Sequence, residues 1–426
     1  MNNSKRVEWS RLDNASKYFP ATCSERDPKV FRISCELFED VEPEILQQAL
    51  DLTIERFPLY KSVLRRGVFW YYFETSDARP VVEREDKPVC APIYRKHEKK
   101  LLFRVFYNKK RINIEIFHAL SDGTGALWFM VTLVYHYLLI RHKDDFSGKK
   151  PDLNYNASIS QKKDDSFTRY YQGRHYRKQI RIEKEKKVSK KAYRIRGARL
   201  DENRIKVIEG TMSAKAVLDE AHKYNTTLTV FLSALLLLSI YKDMPVRRKG
   251  TPLVLSIPIN LRQFFKSETS SNFFSTMKIA YTFGEGNTEL KEVIGKLNEG
   301  FRKELTEERL YQHINWLISI ERNPFARIVP LPLKNISLRI VNAVMDRGIT
   351  AAISNLGKIH MPPEFDSYIR QFSVVPNVKR PQMAICTYGD RLVVSFASPF
   401  RETELQRVFF ESLANMGIKI EIVSNV

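Results

Sequence analysis

Cysteine is scarce in this chain of 426 residues: Cys23, Cys35, Cys90 and Cys386 are the only four, and none stands at a paired, metal-binding spacing. A disulfide framework is therefore not expected, and reduced thiols in a cytosol are. The chain has no HExxH pair and no Cys/His cluster, so no metal is implied. Gly173, Gly197, Gly284 and Gly286 form neither a dinucleotide nor a phosphate-loop fingerprint, and the GxSxG elbow of a serine hydrolase is missing. Long hydrophobic runs are missing too. The two nearest, 126–140 and 228–240, fall short of the roughly 18–20 residues that span a bilayer and read as core helices. The start carries basic side chains with no apolar run behind them, so no secretory signal is expected. The protein is expected in the cytoplasm or at a membrane periphery.

Acid is in short supply as well. Lys and Arg number 70 against 49 Asp and Glu, a net charge of +21. The excess is uneven: residues 161–199 hold 15 basic and 4 acidic side chains, net +11, which leaves +10 for the remainder. No zinc finger, helix-turn-helix or RNA-recognition signature accompanies that stretch, so nucleic acid is not the expected partner. A solvated linker accounts for it most simply. Its functional readings are attraction of a phosphorylated cofactor, an acidic carrier protein or an anionic membrane surface.

What is present describes a globular protein, 43% hydrophobic and 12% aromatic. The length allows two domains of about 200 residues each. A polar, then strongly basic passage divides them, giving an N-terminal half over 1–160, a linker over 161–200 and a C-terminal half over 201–426. Period-two patterning predicts strands at 29–37, 68–74, 101–107 and 112–117. A helix starts at Pro43 and ends before Pro58. In the second half, 204–210 reads as a strand, 213–224 as a helix capped by Ser213, 253–257 as a buried strand, 287–309 as one long charged helix, and 402–417 as a final amphipathic helix. Gly389-Asp390 signals a hairpin between flanking strands.

The stretch that concentrates chemistry runs from Ile112 to Gly125. Ile112, Ile114 and Ile116 point to one face, Asn113, Glu115 and Phe117 to the other, and His118 continues the isoleucine parity towards the interior. Asp122 is placed to cap the following helix, with Gly123 and Gly125 permitting a tight passage. An imidazole at the end of a buried strand is how a general base is presented, because it needs a fixed tautomer and a pKa near neutrality. A histidine beside an apolar strand is more commonly a hydrogen-bonded core residue, so spacing alone does not decide the matter.

The motif His118-Ala119-Leu120-Ser121-Asp122-Gly123 resembles the HxxxDG signature of the chloramphenicol acetyltransferase-like acyltransferases, a superfamily that includes condensation domains and alcohol acetyltransferases. Phe117 stands where many members carry a second histidine, which points away from the condensation-domain and wax-ester subgroups. Phe57-Pro58-Leu59, Pro258 to Arg262, Ser271-Asn272-Phe273-Phe274-Ser275 and a Ser354-Asn355-Leu356-Gly357 turn resemble further elements of these enzymes in the same order.

The resemblance implies an α/β fold of α+β type: two chloramphenicol acetyltransferase-like domains, each a mixed sheet flanked by helices, with an active-site tunnel between them. It implies His118 as general base for transfer of an acetyl or longer acyl group from acyl-CoA to an alcohol or amine, with no covalent intermediate and no permanently bound cofactor. Asp122 is implied to be structural, in a bidentate pair with Arg262, and Gly123 to keep the turn and tunnel clear. Ser121, Thr124, Ser354 and Asn355 are candidate oxyanion donors, and Asn260 a candidate substrate contact. A monomer is expected. Transfer from an acyl carrier protein, and a non-catalytic binding protein of the same fold, are the alternatives.

Overall fold

The computed structural model describes residues 8–148, 150–153, 158, 161–162, 164–171, 192–284, 289–376 and 378–425. Most of the basic stretch 161–199 lies outside the described residues, and with it the readings placed there. The first half carries strands β1 (Trp9–Arg11), β2 (Val30–Leu37), β3 (Ser62–Arg66), β4 (Tyr71–Thr75), β5 (Val82–Arg84), β6 (Phe103–Asn108) and β7 (Arg111–Phe117). Its helices are α1 (Tyr18–Thr22), α2 (Pro43–Arg56), α3 (Gly123–Arg141) and the single turn α4 (Ser166–Arg169). The second half runs β8 (Lys206–Ser213), α5 (Ala214–Lys223), α6 (Leu228–Asp243), β9 (Leu253–Asn260), β10 (Phe274–Tyr281), α7 (Leu290–Glu304), α8 (Glu307–Glu321), α9 (Pro324–Ile328), α10 (Leu331–Asp346), β11 (Ala351–Lys358), β12 (Ile369–Pro376), β13 (Gln382–Tyr388), β14 (Arg391–Ser398), α11 (Glu404–Ala414) and β15 (Ile420–Ser424).

Local chemistry explains the main boundaries. Pro43 opens α2 with its fixed φ and Phe57, before Pro58, closes it; Leu46, Ala49, Leu50 and Ile54 face the core. Ser213 and Thr227 cap α5 and α6 by accepting from the amides of Ala216 and Val230. By length and composition α3 could cross a membrane. Here it is a core helix, packed on α2 and on β2 with Phe129, Met130, Leu133, Val134, Tyr137 and Leu138 buried.

Three sheets result: β1-β4-β3, β12-β2-β7-β6-β5 and β10-β9-β11-β13-β14-β8-β15. In the five-stranded sheet β7 lies antiparallel between β2 and β6, with Val30 opposite Phe117 and Phe103 opposite Ile116. Its outer strand β12 comes from the second half and pairs along β2, Pro376 opposite Phe31 and Ile369 opposite Leu37. The division at 201 therefore does not separate the sheets, because residues 369–376 return to complete the five-stranded one. In the seven-stranded sheet β11 runs parallel to both β9 and β13.

Three sequence expectations change. The strand expected over 68–74 begins only at Tyr71, because Gly67 and Trp70 close a tight β3–β4 turn through an N–H to carbonyl bond of 2.8 Å. The single helix expected over 287–309 is two, broken before Glu307 where Thr306 accepts from the Arg309 amide and starts α8. The Ser354–Gly357 segment is not a turn but part of β11, with an irregular register between Asn355 and Lys358 and Gly357 at φ +76°. Both faces of β7 are covered. Glu115, fully buried, accepts from Arg32 Nε at 2.9 Å, Arg104 Nε at 2.8 Å and the Cys90 amide at 2.6 Å, so two guanidinium groups compensate its charge.

Candidate active site

His118 follows the last residue of β7, and its amide donates to the Lys29 carbonyl at 2.7 Å, holding it against the start of β2. The ring stacks on Phe19 of α1, centroids 4.4 Å apart and planes 13° apart, and packs against Phe31 and Phe274 at 4.9 and 5.6 Å. Its outstanding polar partner comes from the second half. His118 Nδ1 lies 3.2 Å from Asn272 Oδ1.

The asparagine decides which ring nitrogen holds the proton. Asn272 Nδ2 donates to the His118 carbonyl and to Ser16 Oγ, both at 2.9 Å. A main-chain carbonyl only accepts, so the amide cannot be turned round, and the oxygen must face Nδ1. Nδ1 therefore carries the hydrogen, and Nε2 keeps a free lone pair. Burial pushes the His118 pKa below its ordinary value, opposed by the Asp122 carboxylate and the Asn272 bond. Burial thus favours the neutral imidazole.

Asn272 is itself held. Its amide donates to Asp13 Oδ2 at 3.2 Å, and Asp13 also accepts from the Ser16 amide at 2.7 Å and from the Ser16 hydroxyl. Burial pushes Asp13 up to about 7 against these bonds. Asn272 lies inside a segment that sequence resemblance singled out without giving it a role. Asp13, Ser16 and Phe19 sit in a loop-rich opening with no motif, and only the fold brings them to the histidine.

Asp122 bonds not to the imidazole but to its own helix and to the second half. Its Oδ1 accepts from the Gly125 amide at 2.9 Å, capping α3. Its Oδ2 accepts from Arg262 Nη1 at 2.8 Å and the Phe273 amide at 2.7 Å, with both side chains 6% exposed. The ion pair is monodentate, not the fork expected from sequence. Arg262 Nη2 is spent on the Thr269 and Ser271 carbonyls at 2.8 and 2.7 Å, and the guanidinium lies 5.3 Å from the Trp128 ring.

Of the two glycines, Gly125 is the more constrained. A Cβ there would fall 2.2 Å from the Ser270 carbonyl oxygen, whereas one on Gly123 would meet only the tip of Leu356, at 2.7 Å. Gly123 thus admits β11 of the second half close to the turn. Sequence reasoning stressed Gly123 and noticed Gly125 only as a flexible residue.

The remaining candidates divide. Ser121, fully buried, donates to the Ser270 carbonyl at 2.6 Å. Asn260 accepts from the Arg262 amide at 3.1 Å, and Asn355 donates to Thr229 Oγ1 at 2.9 Å while accepting from the Gly357 amide at 2.7 Å. These three are structural in their observed contacts. Thr124, in the first turn of α3, and Ser354, on β11, are half-buried.

A cavity of about 1280 Å³ opens between the five-stranded sheet and the β8–β15 edge of the seven-stranded sheet, lined among others by Arg111, Asn113, Arg204, Glu209, Arg370 and Glu421. It meets the opposite end of β7 from His118, roughly 17 Å away along the strand from Asn113. Among the described residues no group of acids, histidines and cysteines is arranged to hold a metal ion.

No protein-family model matches the chain, and no curated protein matches it in sequence. Solved structures do match over nearly its whole length. TRI101 of F. graminearum, solved with coenzyme A and T-2 mycotoxin, is similar at a TM-score of 0.64 and 13% identity, over 97% of this chain and 99% of that one. TRI3 trichothecene 15-O-acetyltransferase from Fusarium sporotrichioides gives 0.62 and 10% over 98% and 96%. The first condensation domain of the CDA synthetase gives 0.60 and 12% over 97% of each. The chain has the two-domain, chloramphenicol acetyltransferase-like fold that these acetyltransferases and condensation domains share.

Proposed function

We propose that the protein transfers an acyl group from a coenzyme A thioester to an alcohol, with His118 as general base. The observation that carries this reading is the locked tautomer: Asn272 holds Nδ1–H and leaves Nε2 as a proton acceptor. The acceptor hydroxyl gives its proton to Nε2 as its oxygen attacks the thioester carbonyl. The tetrahedral adduct then expels the coenzyme A thiolate, which takes the proton back from the imidazolium. General-base help of this kind contributes about 100- to 10,000-fold.

The negative oxygen of the adduct needs a fixed donor. With the Ser121 hydroxyl and an Asn355 amide N–H donated to protein groups and Asn260 bonded only through its acceptor oxygen, the Thr124 and Ser354 hydroxyls and the Asn260 amide are the candidates. The neighbours solved with coenzyme A support a thioester donor, and Phe117 in place of a second histidine favours the free-coenzyme donor over a carrier protein.

The test is thiol release from acetyl- and longer acyl-CoA with a panel of alcohols and amines, parent against His118→Ala. The expected result is acceptor-dependent release by the parent, reduced about 100-fold or more in the variant. Equal release by both proteins would sink the assignment, and turnover with carrier-bound donor alone would replace coenzyme A by a carrier protein.

A further inference from the structure

Helix α10 is amphipathic the wrong way round for a surface helix of a soluble fold. Its polar side chains face the protein: Asn335 Nδ2 donates to the Tyr71 hydroxyl at 2.9 Å, Arg339 Nε to the Ala21 carbonyl at 2.8 Å, and Asn342 accepts from the Tyr18 hydroxyl. Leu331, at its start, is its one fully buried residue. The apolar stripe of Leu333, Ile336, Ile340 and Val344 recurs at helical spacing on the outside, 53% to 62% exposed.

The stripe continues into neighbouring elements. Helix α9 adds Phe325 and Ile328, and the β3–β4 turn adds exposed Val68, Phe69 and Trp70. The turn is tied to α10, since the Leu331 amide donates to the Val68 carbonyl at 2.8 Å and Lys334 Nζ to the Phe69 carbonyl at 3.0 Å. Single apolar residues on a surface are ordinary, but a continuous patch marks an interaction face.

Charge selects the occupant. Between residues 322 and 347, apart from the inward-bonded Arg339, the chain has four cations, Arg322, Arg327, Lys334 and Arg347, and one acid, Asp346, which is paired with Arg380. A second copy docked face to face would set this one-signed segment against itself. An anionic lipid surface complements it, and a helix with an aliphatic stripe outward and basic residues beside it lies in the interfacial plane of a bilayer.

We propose that α9, α10 and the 68–70 turn form a docking face for an anionic phospholipid bilayer. Directly behind α10 stands α1, whose Phe19 ring stacks on His118. Docking thus leaves the imidazole one short helix behind the lipid surface.

The full-length protein is sedimented with phosphatidylcholine vesicles made with and without phosphatidylglycerol, with no acyl donor present, so that failure leaves the acyl-transfer reading untouched. Binding to the anionic vesicles only is expected, weakening as salt is raised, with a blue shift of tryptophan emission from Trp70. The double variant Ile336→Asp/Ile340→Asp, and separately Val344→Glu, are expected to melt like the parent and to lose at least about tenfold in binding. Undiminished binding by both variants overturns the proposal, as does equal binding to neutral vesicles or none at all. Loss of binding on changing Lys184, Lys186, Lys187, Lys190 and Lys191 to Gln, but not in the α10 variants, would move the contact to the basic stretch. A self-associated parent that the α10 variants turn monomeric, without vesicle binding, would give the face to a second copy.

Discussion

At the scale of single residues the centre of the molecule is an amide. Asn272 reads the His118 carbonyl with one end and its ring nitrogen with the other, so orientation and tautomer are fixed together. Asn272→Ala is expected to lower kcat about 10- to 100-fold, in line with the loss of a partner that orients a functional histidine, with little change in KM and a fold that remains intact by circular dichroism. Asn272→Asp should behave differently. A carboxylate against Nδ1 stabilises the imidazolium, so the acid limb of the kcat/KM profile should move to higher pH than in the parent. In the parent that limb should lie below the ordinary histidine value of 6.5, because burial lowers the His118 pKa. The same depression gives His118 a contribution to stability that rises with pH: as pH falls from 6.5 towards the lowered value, the unfolded chain takes up a proton that the folded histidine refuses, while Asp13, pushed up to about 7, contributes with the opposite sign. An acid limb above 6.5 in the parent would contradict the buried neutral imidazole.

At the scale of elements, the turn between β7 and α3 depends on the carboxylate behind it. Asp122→Ala removes a helix cap, the Phe273 contact and the only acid that, among the described residues, pairs with a guanidinium that is 6% exposed. About 3–5 kcal/mol of destabilisation is expected from breaking such a pair, seen as a lower melting temperature. A variant that melted like the parent and lost only turnover would make Asp122 a participant in the chemistry instead. Gly125→Ala should also destabilise, since the obstacle is a main-chain carbonyl that cannot swing aside. Much of this was legible from the chain alone. Period-two alternation found β7, and capping chemistry at Ser213 and Asp122 found two helix starts. The break before α8 was hidden because charged residues on both sides keep one helical rhythm, and only the Thr306 cap interrupts it. Helix α10 escaped notice because patterning arguments take the apolar stripe to face inward, and here it faces out. Asn272 had a motif but no visible role, since its partners, Ser16 and His118, lie 256 and 154 residues away in sequence.

At the scale of the whole molecule, the two halves are interlocked by β12. The strand that carries towards His118 belongs to a sheet whose outer member arrives from residues 369–376. A fragment of residues 1–153 should therefore fail to fold alone, leaving β2 with a bare edge over Ile33 and Cys35, and should be rescued by co-expression with 161–426. Soluble yield and circular dichroism of the separate and combined fragments decide it, and a stably folded first fragment would show that β12 is dispensable. The interlock also sets a clock during synthesis. Once β7 has left the ribosome, roughly 250 more residues must be made before β12 follows, about 13–50 s at ordinary elongation rates. Throughout that interval the nascent chain presents an unpaired apolar strand edge, the form of surface most prone to adopt a foreign strand. Slow elongation upstream of residue 369, or a shortage of chaperone, should therefore lower the yield of this protein more than that of a protein whose domains close in order.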